Sequence, residues 1–428
     1  MTPSVRAAGA RRLWDYAVVV LLLCVSGNPA FAPPGRGELV LLAMACLLSF
    51  LLLRRKKLLD QSAFYPAVFF FAGILIVQAF SFWFFPVVTV LGFLVRLYIG
   101  YAAVRLVGDF PRLYVNALFG VGIISLLFYA PDQAARAAGV DFRGAFAPLA
   151  ELVGAQNHFH ILVHCFGTAG WEHRNAGFFW EPGAFAGYLL LALIFLGLTK
   201  DRFERRAYQR RLILLSVCLL TTMSTMGYVV FPLVLLVHFR WRRRPGAQGG
   251  RRLLAAYAAV VVLAVSAWAV WERSFVKRKL LSQSTDALER AHGWEINRFG
   301  TLIFDWEYVQ RRPLFGWGLH SHTRYMLHPW AQVAGGQGNG MSDFVARFGL
   351  VGFAVFGLCV WRSMLAVTKG DRLRSAFVLV LLVLMLNGET FLSYPLFLGL
   401  MFLAVPRPAA RAAMLPVHRG APARAVCG

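Results

Sequence analysis

The sequence predicts an all-α integral membrane protein that crosses the bilayer about twelve times. Hydrophobic residues make up 58% of the 428 residues, charged residues only 15%, and the mean hydropathy is +0.60. Soluble domains carry about 25% charged residues. The apolar residues also form blocks, such as 64–85, 253–271 and 376–386, that are apolar on every side of a helix. Such blocks are typical of helices in lipid.

The basic residues predict the direction of the chain across the membrane. The net charge is +24, but Lys and Arg lie in short clusters at the ends of predicted helices, as the positive-inside rule describes. This pattern argues against nucleic-acid binding. With twelve helices every cluster falls on one side, which places both termini in the cytoplasm. The first apolar stretch begins at Leu13 and lacks a clear cleavage site, so we expect it to remain as the first helix.

The predicted organisation places two long outer loops between groups of helices. Helices 1–5 occupy 1–130, the first outer loop 131–183, helices 6–9 184–271, the second outer loop 272–341, helices 10–12 342–405 and a cytoplasmic tail 406–428. The individual helices are predicted at roughly 13–30, 38–53, 64–85, 86–107, 113–130, 184–199, 211–223, 226–239, 253–271, 342–365, 374–388 and 390–405. All other connections are short, so we expect function in the two outer loops.

The first outer loop ends in a charged and aromatic block, Glu172-His-Arg174-Asn-Ala-Gly-Phe-Phe-Trp-Glu181-Pro182. Pro182 suits the first turn of a helix, which places Glu181 at the helix N-terminus. One interpretation is that Glu181 caps this helix and pairs with Arg174. The other is that Arg174 and Glu181 face an anionic, lipid-linked substrate.

Histidines and cysteines give no metal pattern. His158, His160 and His164 lie upstream in the first outer loop, but the Glu of a His-Glu-x-x-His zinc motif is missing. We therefore interpret them as surface or interfacial residues. The six cysteines are scattered and predict neither a disulfide framework nor a zinc site.

The second outer loop contains Arg298, whose planar guanidinium suits phosphate oxygens. The alternative is an interfacial arginine that contacts lipid headgroups. A run from Arg311 to His320 follows, in which Gly316 and Gly318 would allow a positive φ or a close backbone approach. Outside the loops, Arg96 falls in the middle of the fourth predicted helix. It could hold a diphosphate or pair with a carboxylate.

Three blocks resemble a known family. They are Arg174-x-x-Gly-x-x-x-Glu181-Pro, Arg298 followed by Arg-Pro-Leu-Phe-Gly-Trp-Gly-Leu, and Asn339-x-x-x-Asp343 followed by Gly-x-x-Gly. They look like the Wzy-type repeat-unit polymerases and the related O-antigen ligases. The resemblance implies a GT-C-type glycosyltransferase that uses undecaprenyl-diphosphate-linked glycans at the periplasmic face of the bacterial inner membrane, without a metal or other cofactor. It also implies three partners: this glycan, the bilayer and a chain-length regulator.

Roles for single residues follow from the chemistry that the resemblance implies. Arg174 and Arg298 would stabilise the diphosphate leaving group, and Arg96, Asn339 and Asp343 would help to bind the substrate. The candidate bases for the accepting hydroxyl are Glu181, His320 and His322.

The resemblance also leaves alternatives open. Ligases of the family typically show His-Asn where this chain has Gly338-Asn339, which favours a polymerase over an O-antigen ligase. A transporter or flippase is a further alternative. It would be expected to show repeat symmetry and polar residues in the middle of its helices, whereas the polar residues here concentrate in the outer loops.

Overall fold

A computed structural model of the chain describes residues 3–31, 37–55, 64–154, 159–167, 171–238, 298–332 and 339–404. Nearly all regular structure in these ranges is helical. The first half contains α1 (Pro3–Gly27), α2 (Gly37–Arg54), α3 (Phe64–Phe82), α4 (Val87–Leu106), α5 (Phe110–Ala137), α6 (Ala147–Val153), and a hairpin of β1 (Phe159–His160) and β2 (Cys165–Phe166). Further on lie α7 (Pro182–Leu198), α8 (Arg205–Thr221), α9 (Thr225–Leu236), α10 (Arg298–Arg311), α11 (Ser321–Arg324), α12 (Gly340–Val367), α13 (Arg372–Leu386) and α14 (Pro395–Gly399). Single 3-10 turns lie at Pro29–Phe31, Gly144–Phe146, Lys200–Arg202, Pro329–Gln332, Phe391–Ser393 and Leu400–Phe402.

Within these ranges, five helices are long and apolar enough to cross a membrane: α2, α3, α4, α5 and α12. The apolar part of α1, together with α7 and α9, is apolar but shorter. The prediction of an all-α membrane protein is therefore confirmed. The total of about twelve helices stays a prediction, and the predicted ninth helix, 253–271, lies outside the described residues.

The last predicted helix, 390–405, differs from the structure. Instead of one continuous helix, the chain forms the turn Phe391–Ser393, the short helix α14 and the turn Leu400–Phe402. Pro395 causes the interruption, because the residue before a proline avoids helical geometry and Tyr394 is accordingly extended, with φ −108° and ψ 144°. The segment packs closely on α4, where a Cβ at Gly100 would overlap the Pro395 carbonyl oxygen.

Two helices form the centres of packing. α7 is buried from Pro182 to Gly197 and contacts α5, α8, α9 and α13. It can be enclosed on every side because it is apolar all round. α4 packs against α1, α2, α3 and α14. α12 lies beside α3, α10 and α13, so that it joins the helices of the two halves and brings one face towards α4.

Candidate functional site

A pocket of about 490 Å³, including its open mouth, lies between α4, the first turns of α12 and the turn before α14. It is lined by Thr89, Phe93, Arg96, Leu319, Gly340, Asp343, Phe344, Arg347, Phe348, Leu392 and Ser393. The walls are thus about half apolar and half polar, and the polar half includes two guanidinium groups and one carboxylate. This composition suits an anionic group attached to an apolar body.

Helix α4 contributes Thr89, Phe93 and Arg96, which lie at positions i, i+4 and i+7 and so on one face. Arg96 lies nine residues after Val87, the first residue of α4, which is about 14 Å along the helix axis. No described carboxylate forms an ion pair with Arg96, although Glu38, Tyr394 and Arg347 lie within its electrostatic range. The described residues therefore give no support to the alternative that Arg96 is one half of a buried structural pair.

Helix α12 contributes Asp343 and Arg347, four residues apart on the face towards α4. The Nε of Arg347 lies 2.8 Å from Oδ2 of Asp343. The Arg347 side chain keeps 24% of its surface exposed, whereas Asp343 keeps only 4%. The ion pair thus holds the Nε edge of the Arg347 guanidinium, while the side chain remains accessible from the pocket.

A buried ion network lies behind Asp343. Arg324 of α11, 1% exposed, donates from Nε to Oδ1 of Asp343 at 3.2 Å. Its Nη2 donates to Oδ1 of Asp305 in α10, and the Ser342 hydroxyl donates to the other oxygen of Asp305 at 2.5 Å. Cations and carboxylates therefore alternate from α10 through α11 to Arg347 at the pocket.

Burial and pairing oppose each other in this network. Burial would lower the pKa of Arg324, but Asp305 and Asp343 outweigh it and the pKa is raised. Burial raises the pKa of Asp305 to about 6, with Arg324 opposing the shift and Asp343 adding to it. Arg324 is thus firmly cationic, and Asp305 titrates close to the physiological range.

The pocket face of α12 is set at an angle by a break in that helix. Gly349 has φ 71° and ψ 178°, so the helical hydrogen bonds across it are lost. The segment 313–318 replaces them. The N–H groups of Leu350 and Val351 donate to the carbonyls of Pro313 and Leu314, while Trp317 and Gly318 donate to the carbonyls of Ala346 and Arg347. The Gln78 amide of α3 also donates to the Arg347 carbonyl at 2.7 Å.

Glycines make this insertion possible. Gly316 and Gly318 have φ 69° and 90°, so the prediction that both positions allow positive φ is confirmed. A Cβ at Gly316 would lie 2.6 Å from the Arg347 carbonyl oxygen, and one at Gly349 would overlap the Leu314 carbonyl oxygen. The glycines of the Pro-Leu-Phe-Gly-Trp-Gly run therefore allow its backbone to form hydrogen bonds with α12 on both sides of the break.

His320 and His322 lie next to the rim of the pocket, because Leu319 lines it. Both imidazoles pack on Phe84, with ring centroids 5.0 and 5.2 Å away. Nδ1 of His320 accepts the His322 N–H at 3.2 Å, so a neutral His320 ring carries its proton on Nε2. In this arrangement His320 donates a hydrogen bond rather than accepting a proton.

Glu181 approaches the pocket from the first outer loop. It occupies the position before α7, as predicted, but its side chain makes no capping hydrogen bond. The interpretation that Glu181 caps this helix is therefore wrong, and its pairing with Arg174 stays a prediction. Glu181 and Arg96 both act electrostatically on the Tyr394 hydroxyl, and Trp180 stacks on the Tyr394 ring at 4.9 Å. Glu181 thus lies behind Tyr394, which follows pocket residues 392 and 393.

The rest of the Arg174 block docks on the break between α8 and α9. Arg174 donates from Nε to the Thr222 carbonyl at 3.0 Å. The backbone N–H and Nδ2 of Asn175 donate to the carbonyl and hydroxyl of Thr221 at 2.9 and 3.0 Å, and the Ser125 hydroxyl donates to Asn175 Oδ1 at 2.6 Å. Arg174 is not among the residues that line the pocket.

The histidines of the first outer loop are buried, so their interpretation as surface or interfacial residues is wrong for His160 and His164. His160 uses both ring nitrogens, one with the Phe178 carbonyl at 2.9 Å and one with the Leu162 N–H at 3.0 Å. His164 packs against Phe128 and Phe166, and burial lowers its pKa to about 3. Hydrogen bonds hold the His160 ring and aromatic packing encloses the His164 ring, and spacing alone reveals neither. His158 lies outside the described residues.

Two further predicted residues flank the network. Arg298 begins α10, and its side chain lies outside the described part of the chain. Asn339 precedes α12, and its Oδ1 accepts the Ser342 N–H at 3.2 Å. Asn339 therefore fixes the start of the helix that carries Asp343.

Sequence reasoning missed Arg347 and Arg324. The spacing of Asp343 and Arg347 on one predicted helix, four residues apart, could have revealed the first. No comparable signal marks Arg324, because its partners lie 19 residues away on either side, in two other helices.

A comparison with known families places this geometry in context. Residues 211–357 match the family model Wzy_C, described as O-antigen ligase. The matched segment includes α10, α11 and the pocket face of α12, whereas Arg96, Arg174 and Glu181 precede it. A comparison with curated proteins gave no match. The match over residues 211–357 confirms the resemblance to the O-antigen polymerase/ligase superfamily.

Proposed function

We propose that this protein, which resembles the O-antigen polymerase/ligase superfamily, is a metal-independent polymerase of undecaprenyl-diphosphate-linked repeat units. It would act at the periplasmic face of the bacterial inner membrane, with a GT-C-like bundle of about twelve helices and both termini in the cytoplasm. The product would be an O-antigen or exopolysaccharide. One observation carries the proposal: Arg96 and Arg347, from two helices long and apolar enough to cross a membrane, line the same pocket.

The pocket suits a polyprenyl diphosphate by charge and by depth. Two guanidinium groups can bind phosphate oxygens with directed, charge-assisted hydrogen bonds. Asp343 offsets only part of their charge, since it also pairs with Arg324. With the predicted topology, Arg96 lies about 14 Å below the outer end of α4. A diphosphate held there would leave its prenyl chain in the bilayer and its glycan towards the periplasm.

The reaction that these residues support is a direct displacement. The oxygen of an acceptor hydroxyl forms a bond to the anomeric carbon, the bond from that carbon to the diphosphate oxygen breaks, and the electron pair leaves with the diphosphate. Arg96 and Arg347 would stabilise this leaving group, with Arg174 and Arg298 as further phosphate-binding candidates. The hydroxyl proton passes to a base. Glu181 and His322 remain candidates, and His320 fits the role after a change of its hydrogen bonding.

An O-antigen ligase, which transfers the glycan to lipid A–core, is the second candidate. The matching family model is described as O-antigen ligase but does not distinguish ligase from polymerase, whereas Gly338 in place of the ligase histidine favours a polymerase. Both use the same donor, so the pocket fits either. The chain-length regulator belongs to the polymerase proposal alone.

The test replaces Arg96 or Arg347 by Ala in a strain that lacks the native gene and measures the length of the surface glycan. We expect glycans of a single repeat, because loss of transition-state charge stabilisation costs about 100-fold or more in rate. Arg372→Ala is the matched control, since Arg372 is exposed at the start of α13. Expression of each variant is measured in the membrane fraction.

Three outcomes separate the candidates. Single-repeat surface glycan supports the polymerase, and lipid-linked polymer that accumulates unattached supports the ligase. Lipid-linked single repeats that stay on the cytoplasmic side would support a flippase without bond chemistry. A normal length distribution in both variants, at normal expression, would refute the pocket assignment.

A further inference from the structure

Arg324 and Asp305 make no contribution to the pocket surface, yet they hold the charges that do. Both are nearly inaccessible, at 1% and 0% exposure of their side chains. Asp343 accepts from Arg324 with one oxygen and lies against Arg347 with the other. A carboxylate shared in this way has a fixed rotamer, because each oxygen has its own cationic partner.

The setting of Arg324 fixes its plane as well as its position. Its guanidinium lies 4.7 Å from the centroid of the Tyr308 ring and 5.2 Å from that of the Tyr325 ring, while Asp305 and Asp343 take hydrogen bonds from its edge. Tyr308 is itself fixed, because its carbonyl accepts the Trp317 indole N–H at 2.8 Å and its hydroxyl accepts the His328 N–H at 3.1 Å. The guanidinium therefore has little freedom to rotate.

Asp305 completes the connection. Asp305 lies on α10, and its second oxygen accepts a hydrogen bond from the Ser342 hydroxyl. It is therefore bonded to the same first turn of α12 that carries Asp343. The second outer loop is thus joined to α12 at two neighbouring residues. Movement of α10 would be transmitted to the side chain of Asp343 and, through it, to Arg347.

We propose that Arg324 and Asp305 are positioning residues that hold Asp343, and through Asp343 the Arg347 guanidinium, in the orientation that binds the diphosphate of the lipid-linked substrate. This inference rests on the proposed function. The alternative is that the network only stabilises the fold.

A double variant separates the two roles. Removing one member of a buried ion pair strands a charge and is strongly destabilising, whereas replacing both by apolar residues of similar size is often neutral. Asp305→Leu with Arg324→Met is therefore expected to unfold near the wild-type temperature in detergent, while each single substitution unfolds lower. If the network serves only the fold, the double variant regains both stability and ligand binding.

Binding is measured with undecaprenyl diphosphate in detergent micelles. We expect the double variant to bind about tenfold more weakly than wild type, the effect of losing one well-oriented hydrogen bond to a charged group, and to make shorter surface glycans. Wild-type affinity in a stable double variant would overturn the proposal. Should the double variant fail to fold, Arg324→Lys decides on the same readout, because an ammonium keeps the charge but cannot present the planar fork to both carboxylates.

Two further variants separate failure of this inference from failure of the proposed function. Arg96→Ala and Arg347→Ala remove the groups that touch the diphosphate. If they bind undecaprenyl diphosphate as well as wild type does, the pocket assignment itself is wrong. If they lose binding while the stable double variant keeps it, only the positioning role is wrong.

Discussion

The buried ion pair of Asp132 and Arg143 stays within the first outer loop, whereas the buried ion pairs of the second reach a helix that lines the pocket. In the first, Arg143 holds Asp132 with two hydrogen bonds of 2.8 Å and donates to the Gly167 carbonyl. All three residues fall within the predicted loop 131–183, although Asp132 lies in the last turns of α5. In the second, Arg324 reaches Asp343 of α12, which pairs with Arg347 at the pocket.

The difference shows how a charge in an outer loop can be assigned a role. Each buried charge needs a partner because desolvation is costly. A pair closed within one loop stabilises that loop. A pair that spans from a loop to a helix of the pocket also sets the geometry of the pocket. The described part of the first loop approaches the pocket region through Trp180 and Glu181, which lie close to Tyr394.

The largest expected contrast is between two glycines, Gly349 and Gly177. Gly349→Ala would force a Cβ onto the Leu314 carbonyl oxygen at a φ of 71°. We expect a loss of about 3 kcal/mol or more in the free energy of unfolding, with failure to accumulate in the membrane. Gly177→Ala, at φ 58°, meets only the Phe185 ring and should cost about 1–2 kcal/mol. Thermal unfolding in detergent measures both, and equal losses would contradict the contrast.

Arg143→Ala tests whether the first outer loop is purely structural. The change leaves the buried carboxylate of Asp132 with Arg136 at 3.9 Å, so we expect a loss of about 2–3 kcal/mol in stability. Surface glycans should keep their length at the growth temperature, unlike those of the Arg347→Ala strain. Arg143→Lys serves as the charge-preserving control. Single-repeat glycans from a folded Arg143→Ala protein would contradict a purely structural role for this ion pair.

His164 predicts a pH effect on stability confined to the first outer loop. Its folded pKa is lowered to about 3 by burial, so folding favours the neutral ring. The contribution of the neutral His164 ring to the free energy of unfolding is complete above the unfolded pKa of 6.5, and it is lost as the pH falls towards 3. At pH 5 the loss should be about 2 kcal/mol. His164→Phe should remove this pH dependence, as measured by unfolding at pH 5 and pH 7, and an unchanged slope would argue against burial as the cause.

Asp305 predicts the smallest effect, and it concerns activity. Its folded pKa is raised to about 6, chiefly by burial. Folding therefore favours the protonated carboxyl group of Asp305, which adds to stability at low pH, and this gain is lost as the pH rises through 6. Protonation as the pH falls through 6 also weakens the ion pair between Asp305 and Arg324, which lies next to Asp343 and Ser342. We expect turnover to fall up to about tenfold by pH 5. Asp305→Asn should be slower at pH 7 and lack this acid limb. If turnover still falls at acid pH in Asp305→Asn, a group other than Asp305 causes the fall.

Many of the helices could be predicted from local properties of the sequence. The apolar blocks 38–53, 64–85 and 86–107 correspond to α2, α3 and α4, since apolar length alone specifies a spanning helix. Pro182 begins α7, as its missing N–H predicts. The prediction of one helix over 390–405 was wrong, because it gave more weight to apolar composition than to Pro395.

The site was predicted only in part. Arg96 was singled out as a charge within a predicted helix and Asp343 through the family resemblance, and both line the pocket. The surroundings of Arg174, His160 and His164 could not be predicted, because contacts such as those with Thr222, Phe178 and Phe128 lie outside any local pattern.

By itself, the sequence determined that this protein spans a membrane and that its polar segments resemble a glycan polymerase or ligase, because composition and short motifs are local properties. Only the tertiary structure decided which charges meet. Arg96 and Arg347 are separated by most of the chain, and Arg324 finds its carboxylates in two other helices. Ion pairing falls steeply with distance and with exposure to water, so the role of each charge depends on the fold that surrounds it.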